Sequence, residues 1–156
     1  MNHLPIILIV DDTEENLLYL ELVIQKINVN IIRALSGYEA LEKTQGIELA
    51  LAIIDVRMPG MNGYELAVKI NKERPEEKVP IIFMTANYFS EAELSKGYNS
   101  GAVDYIFKQF DRNNLLSKIG VFIDLFNQKQ TILYNARLLK SSADDLSNAN
   151  EALRKS

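Results

Sequence analysis

An α/β domain built on a doubly wound, five-stranded parallel sheet in the order 2-1-3-4-5, followed by an extended C-terminal helix, is the fold this sequence predicts. Three observations carry it. Five short apolar runs alternate with helix-length amphipathic stretches. Gly and Pro punctuate the joints between them. From Val121 to Ser156 there is no Gly, no Pro and no strand-like run. Short continuous apolar runs set between helices belong to parallel sheets buried on both faces. Right-handed crossovers then wind such a sheet in both directions. At 156 residues and 47% hydrophobic, the chain is long enough to bury a core and too apolar for wholesale disorder.

The elements follow in order. Ile6 to Val10 is the first apolar run, and an acidic helical stretch then carries Leu17, Leu18, Leu20, Leu22, Val23, Ile24 and Ile27. Ile31-Ile32 to Leu35 is the second run; Ser36-Gly37 starts a helix through Ala40 and Leu41 that stops at Gly46. Leu49 to Ile54 is the third and ends in Asp55. After the turn-rich Met58-Pro59-Gly60-Met61-Asn62-Gly63, a helix with Leu66, Ala67 and Ile70 closes before Pro75. Val79 to Met84 is the fourth run, and Ser90 is placed to cap a helix reaching about Asn99. Tyr105-Ile106-Phe107 is the fifth, and Asp111 opens the last helix.

Charge and composition exclude several classes. A formal charge of −4 attracts neither nucleic acid nor anionic lipid. Zero Cys removes thiolate metal sites, disulfides and Cys nucleophiles. The longest apolar runs fall far short of a membrane span. No Lys or Arg precedes Ile6 to Val10, so the start does not read as a signal peptide, and a cytoplasmic location is expected. No Gly is followed by Lys, so there is no P-loop and no kinase catalytic core, and the single histidine, His3, precedes the first strand.

In an open α/β sheet, ligands bind beyond the carboxyl ends of the strands at the switch point, here between strands 1 and 3. Asp11 and Asp12 end strand 1 and Asp55 ends strand 3, so three carboxylates converge on one crevice. Like charges so close repel, and a hard divalent cation relieves them; oxygen ligands with room for water suit Mg²⁺. Thr85 ends strand 4 and Lys108 ends strand 5 at the same edge. A hydroxyl and an ammonium beside a carboxylate cluster suit a site that also holds a tetrahedral dianion. The chemistry expected is attack of a carboxylate on a phosphoryl donor to give an acyl phosphate. Taken singly, each residue has a plainer reading as a cap, a strand residue or a solvated side chain; their shared edge sets that reading aside.

Asp11-Asp12, Asp55, Thr85 and Lys108, each at its own strand end, together with Asp55-Val-Arg-Met-Pro-Gly-Met-Asn-Gly63, resemble the response-regulator receiver domain, of flavodoxin-like fold, over roughly residues 5 to 125. The resemblance implies that Asp55 accepts phosphate from a phosphohistidine on a partner histidine kinase or phosphotransfer protein. It implies that Asp12 and Asp55, with the Arg57 carbonyl and Asp11 through water, hold Mg²⁺. Thr85 and Lys108 would then bind phosphoryl oxygens. Arg57 and Asn87 fall where the family sets its dephosphorylation rate, and Tyr105 where it carries a switching aromatic coupled to Thr85. The family usually has a cis Pro after the lysine; here Gln109 stands there, so a trans loop is expected. The activity implied is self-phosphorylation and dephosphorylation alone.

Two rival functions could occupy the same fold. A flavin-nucleotide module on the same fold needs phosphate-binding donors after strand 1, where Asp11-Asp12-Thr13-Glu14-Glu15 offers four acids instead. A phosphorylation-independent dimerisation scaffold would lose the site, yet every site residue is present.

The tail suggests a second unit. Residues 126–156 hold five basic and three acidic residues, leaving −6 on the rest, and divide a 1–125 domain from a 126–156 helical connector. Leu125, Ile132, Leu139, Leu146 and Leu153 recur every seven residues, while Lys129, Ala136, Ala143 and Asn150 fill the companion positions. That is a thin coiled-coil seam, expected to pair in parallel across a homodimer. The end at Arg154-Lys155-Ser156 has no helix stop and looks cut from something longer. The tail is similar to connectors joining receivers to downstream domains, including the dimerisation helices of hybrid histidine kinases.

Overall fold

A computed structural model describes residues 3–86, 95, 99 and 102–155. The elements run β1 (Ile6–Val10), α1 (Glu14–Ile24), β2 (Asn30–Ala34), α2 (Gly37–Lys43), β3 (Leu51–Asp55), α3 (Gly63–Lys72), β4 (Ile81–Thr85), β5 (Ala102–Phe107) and α4 (Arg112–Lys155). All adjacent strands pair in parallel, in the order β2-β1-β3-β4-β5, as the alternation predicted. Of the helix expected from Ser90 to about Asn99, only Ser95 and Asn99 are described, both helical; the rest lies outside the described residues.

Period-two geometry sends successive strand residues to opposite faces, and both faces are covered. Leu8, Val10, Ala52, Ile54, Ile81 and Phe83 form one cluster with Ala40 of α2 and Tyr64, Leu66, Ala67 and Ile70 of α3. The alternate set Ile7, Ile9, Leu51, Ile53 and Ile82 is equally buried. Leu17, Leu20, Val23 and Ile24 of α1 and Leu115, Ile119 and Ile123 of α4 are buried as well. Leu18 and Leu22, apolar in sequence, are exposed instead, because they lie on the side of α1 opposite buried Leu17, Leu20, Val23 and Ile24.

Local chemistry sets the boundaries. Ser36 Oγ accepts from the Glu39 N–H at 3.1 Å and starts α2; Asn62 Oδ1 accepts from the Glu65 N–H at 2.9 Å and starts α3. α1 ends earlier than its apolar pattern. Lys26 and Ile27 donate to Val23 and Ile24, three residues back, which tightens the last turn and aims the chain at β2. β4 begins at Ile81 rather than Val79, because Val79 pairs with a side chain, the Asn71 carboxamide, in both directions.

The chain divides into two compact units, Met1–Ile123 and Asp124–Ser156. α4 is unbroken from Arg112 to Lys155, so the helix expected to continue past residue 125 does so. In the second unit, Leu125, Ile132, Leu139, Leu146 and Leu153 are each 55–73% exposed. Among the described residues, no helix is long and apolar enough to cross a membrane.

Candidate functional site

The carboxyl ends of β1 and β3 lie side by side, with Val10 opposite Ile54, and the next residue along each strand is an aspartate. Asp11 and Asp55 are 4% and 2% exposed, while Asp12 is exposed. One carboxylate oxygen from each of the three lies within 4.8 Å of the other two. β4 ends in buried Thr85, whose carbonyl accepts from the Lys108 N–H at 2.8 Å, so the β4–β5 pairing carries to the lysine itself. That last backbone bond aims the lysine side chain across the strand ends. Lys108 Nζ then stands 3.0 Å from Asp55 Oδ2 and 3.6 Å from Asp11 Oδ2.

Backbone and neighbouring groups hold the acids in place. Asp11 Oδ1 accepts from the Thr13 N–H at 2.9 Å, and Asn16 Nδ2 lies 3.3 Å from both Asp11 oxygens. The Arg57 N–H donates to Asp55 Oδ1 at 3.3 Å. The loop after Asp55 turns tightly through Gly60, whose φ of +78° suits glycine, and returns so closely that a Cβ on Gly63 would lie 2.3 Å from the Asp55 carbonyl oxygen.

Electrostatics follow from burial. Loss of solvent pushes the Asp55 carboxyl from 3.8 up to about 6, aided by the Asp11 charge and opposed by Lys108 and the Arg57 N–H. Burial works against the Lys108 charge, but its hydrogen bond to Asp55 and the charges of Asp55, Asp11 and Asp12 outweigh it and hold its pKa above the ordinary value. Three hard oxygen donors with one ammonium between them fit a small divalent cation: the donor set is all carboxylate, and the cluster already draws in positive charge.

Asp11 and Asp12 follow β1, Asp55 ends β3, Thr85 ends β4 and Lys108 follows β5. Asp11, Asp12, Asp55 and Lys108 are brought together, and Thr85 is joined to Lys108 through the backbone. Arg57 is exposed at the rim. Tyr105, two residues in from the end of β5, is buried, with its ring 5.6 Å from Phe83, which in turn lies 4.8 Å from Tyr64. Asn87 lies outside the described residues. Among the described residues no peptide bond is cis, so Gln109 continues a trans chain. Sequence reasoning missed Asn16; its position on the first turn of α1, five residues after Asp11, was the available signal.

Fold and site together define a small doubly wound α/β domain with an acidic, lysine-bridged pocket at its switch point. The family description "Response regulator receiver domain" matches residues 7–120. "Probable transcriptional regulator ycf29" of Pyropia yezoensis is 38% identical over 107 residues, covering 69% of this chain and 48% of that protein. "Response regulator ArlR" of Staphylococcus aureus (strain Mu50 / ATCC 700699) is 33% identical over 137 residues, covering 88% of this chain and 61% of that protein. Among solved structures, the CheY-like receiver domain protein of Methanospirillum hungatei JF-1 superposes with a TM-score of 0.73 at 31% identity, covering 81% of this chain and 99% of that one. Vibrio cholerae CheY4 gives 0.71 at 26% identity, covering 77% and 99%. The chain belongs to the response regulator receiver domain family of two-component systems. It spans about half to three-fifths the length of these curated relatives. Receiver domains interact with histidine kinases or phosphotransfer proteins and generally bind Mg²⁺ at an acidic pocket, and this chain has the matching aspartate cluster.

Proposed function

We propose that this receiver takes a phosphoryl group from a phosphohistidine of a histidine kinase or phosphotransfer protein onto Asp55. The observation that carries the reading is the Lys108 ammonium, 3.0 Å from Asp55 Oδ2 and facing Asp11 as well. An Asp55 oxygen attacks phosphorus, the P–N bond breaks, and its electron pair returns to the imidazole nitrogen; the new P–O bond is an acyl phosphate. Lys108 exchanges its contact with Asp55 for a phosphoryl oxygen, and the Thr85 hydroxyl donates to another. Asp12, Asp55, the Arg57 carbonyl and, through water, Asp11 would hold Mg²⁺. When bound, Mg²⁺ supplies neutralising charge to the transferring group.

Arg57 and Asn87, two residues beyond Asp55 and Thr85, modulate dephosphorylation. Tyr105 reports the state: Thr85 shifts toward the phosphoryl group, and the ring behind it follows. Residues 1–125 act as the receiver and 126–156 as a coiled-coil connector. The connector pairs in parallel with a second copy, and phosphorylation alters that pairing. Such a domain works in the cytoplasm, beside its kinase. The acid-lined pocket argues against a flavin phosphate, and the assembled side chains favour a phosphorylated receiver over a silent scaffold.

Incubation of the full chain with acetyl phosphate and Mg²⁺ tests the reading. One hydroxylamine-labile phosphate should be added to wild type and none to Asp55→Asn. Persistent labelling of Asp55→Asn would refute Asp55 as the acceptor.

A further inference from the structure

Lys108 has to hold its ammonium over Asp55 from the end of an edge strand. The residues that follow, Gln109 to Asp111, form no helix or strand, and no proline ring or cis bond constrains them. Among the described residues, a ring contact ties this loop to α1. The partly buried Phe110 ring packs against the Tyr19 ring of α1, with centroids 5.6 Å apart and planes tilted by 32°. Tyr19 lies three residues after Asn16, and residues so spaced are neighbours on one helix face. Asn16 in turn holds the Asp11 carboxylate, which faces Lys108 Nζ at 3.6 Å. Contacts and chain neighbours therefore close a circuit: Asp11 to Asn16 by hydrogen bond, Asn16 to Tyr19 along α1, Tyr19 to Phe110 by ring contact, Phe110 to Lys108 along the loop, and Lys108 back to Asp11.

We infer that Tyr19 is a positioning residue, which through Phe110 fixes the Lys108 loop to the helix that carries the acids. The inference rests on Lys108 as the cation that pairs with the phosphoryl group. A ring pair of this geometry is a modest but directional contact. Tyr19 is 45% exposed, so its truncation leaves the core untouched.

Two measurements on the full chain test it. In metal-free buffer, acetic anhydride labelling read by mass spectrometry reports how firmly Lys108 is held. Tyr19→Ala and Phe110→Ala should label Lys108 several-fold faster than wild type, and Tyr19→Phe should match wild type. With acetyl phosphate and Mg²⁺, Tyr19→Ala should phosphorylate about fivefold more slowly. In a Lys108→Ala background, the same substitution should change nothing further, because its effect passes through the lysine. Wild-type Lys108 labelling in both Ala variants overturns the inference, whatever the phosphorylation rates. Equal slowing of phosphorylation with and without Lys108 overturns it too. Faster labelling with unchanged phosphorylation keeps the loop contact and counts against Lys108 as the phosphoryl-pairing group.

Discussion

Lys108 Nζ and Asp55 Oδ2 meet at 3.0 Å across the ends of two strands that are not neighbours in the sheet, with β4 between them. The pair sets a buried carboxylate against its one close ammonium among the described residues, while burial and Asp11 favour the protonated acid. The balance stays on the side of a raised pKa, and stability should record it.

In the metal-free protein the Asp55 carboxyl titrates near 6 when folded, above its ordinary 3.8. Between those values the folded chain holds a proton that the unfolded chain has released. The stability this group contributes is therefore fully present below about pH 4 and lost as pH rises through about 6. At 1.36 kcal/mol per unit the full effect is on the order of 3 kcal/mol. Asp55→Asn, which keeps an oxygen for Lys108 but carries no charge, should be more stable than wild type at pH 7.5 in EDTA. That advantage should vanish near pH 4. Urea midpoints across pH for both proteins measure it, and equal midpoints at every pH would contradict the burial effect.

Mg²⁺ should raise the melting temperature of wild type, since the three aspartates converge only in the folded chain. The gain follows RT ln(1 + [Mg²⁺]/Kd), about 2.7 kcal/mol at a hundredfold excess over Kd. Asp12→Ala removes the exposed member of the trio without opening a cavity, so the metal-free protein should melt close to wild type and the Mg²⁺ increment should shrink. A thermal scan with and without Mg²⁺ reads both. An undiminished increment in Asp12→Ala would remove that residue from the metal set.

Gly63→Ala should be costly. The new methyl would lie 2.3 Å from the Asp55 carbonyl oxygen and 3.0 Å from the Val56 Cα, and backbone must move to make room. A loss of about 3 kcal/mol is expected. Phosphorylation should slow along with it, because the displaced residue is the acceptor. Gly120→Ala is the contrast: nothing lies within 4 Å, the residue is in a helix, and a gain of up to about 1 kcal/mol is expected. Chemical denaturation of both variants provides the comparison.

The pairing proposed for the exposed stripe from Leu125 to Leu153 predicts a concentration-dependent dimer. Sedimentation at tens of micromolar should show self-association of the full chain, shifted by phosphorylation. Leu139→Asp with Leu146→Asp should abolish it while leaving the first unit folded. A wild-type monomer with and without phosphate would make the tail a passive linker.

Periodicity and chain ends made most of this protein legible in its sequence. Strand count, order and the converging acids followed from short apolar runs ending in Asp11, Asp55, Thr85 and Lys108, because a residue just past a parallel strand can only lie at one edge of the sheet. The unbroken α4 followed from the lack of Gly and Pro after Val121. Tertiary structure decided what depends on how closely particular groups approach one another. It placed Asn16 on Asp11, tied Tyr19 to Phe110 and brought Gly63 against the Asp55 carbonyl. It also turned Leu18 and Leu22 outward, although their hydrophobicity matches that of buried Leu17 and Leu20. A strand's direction can be read from local pattern, but which faces meet, and how closely, is settled only when the layers pack.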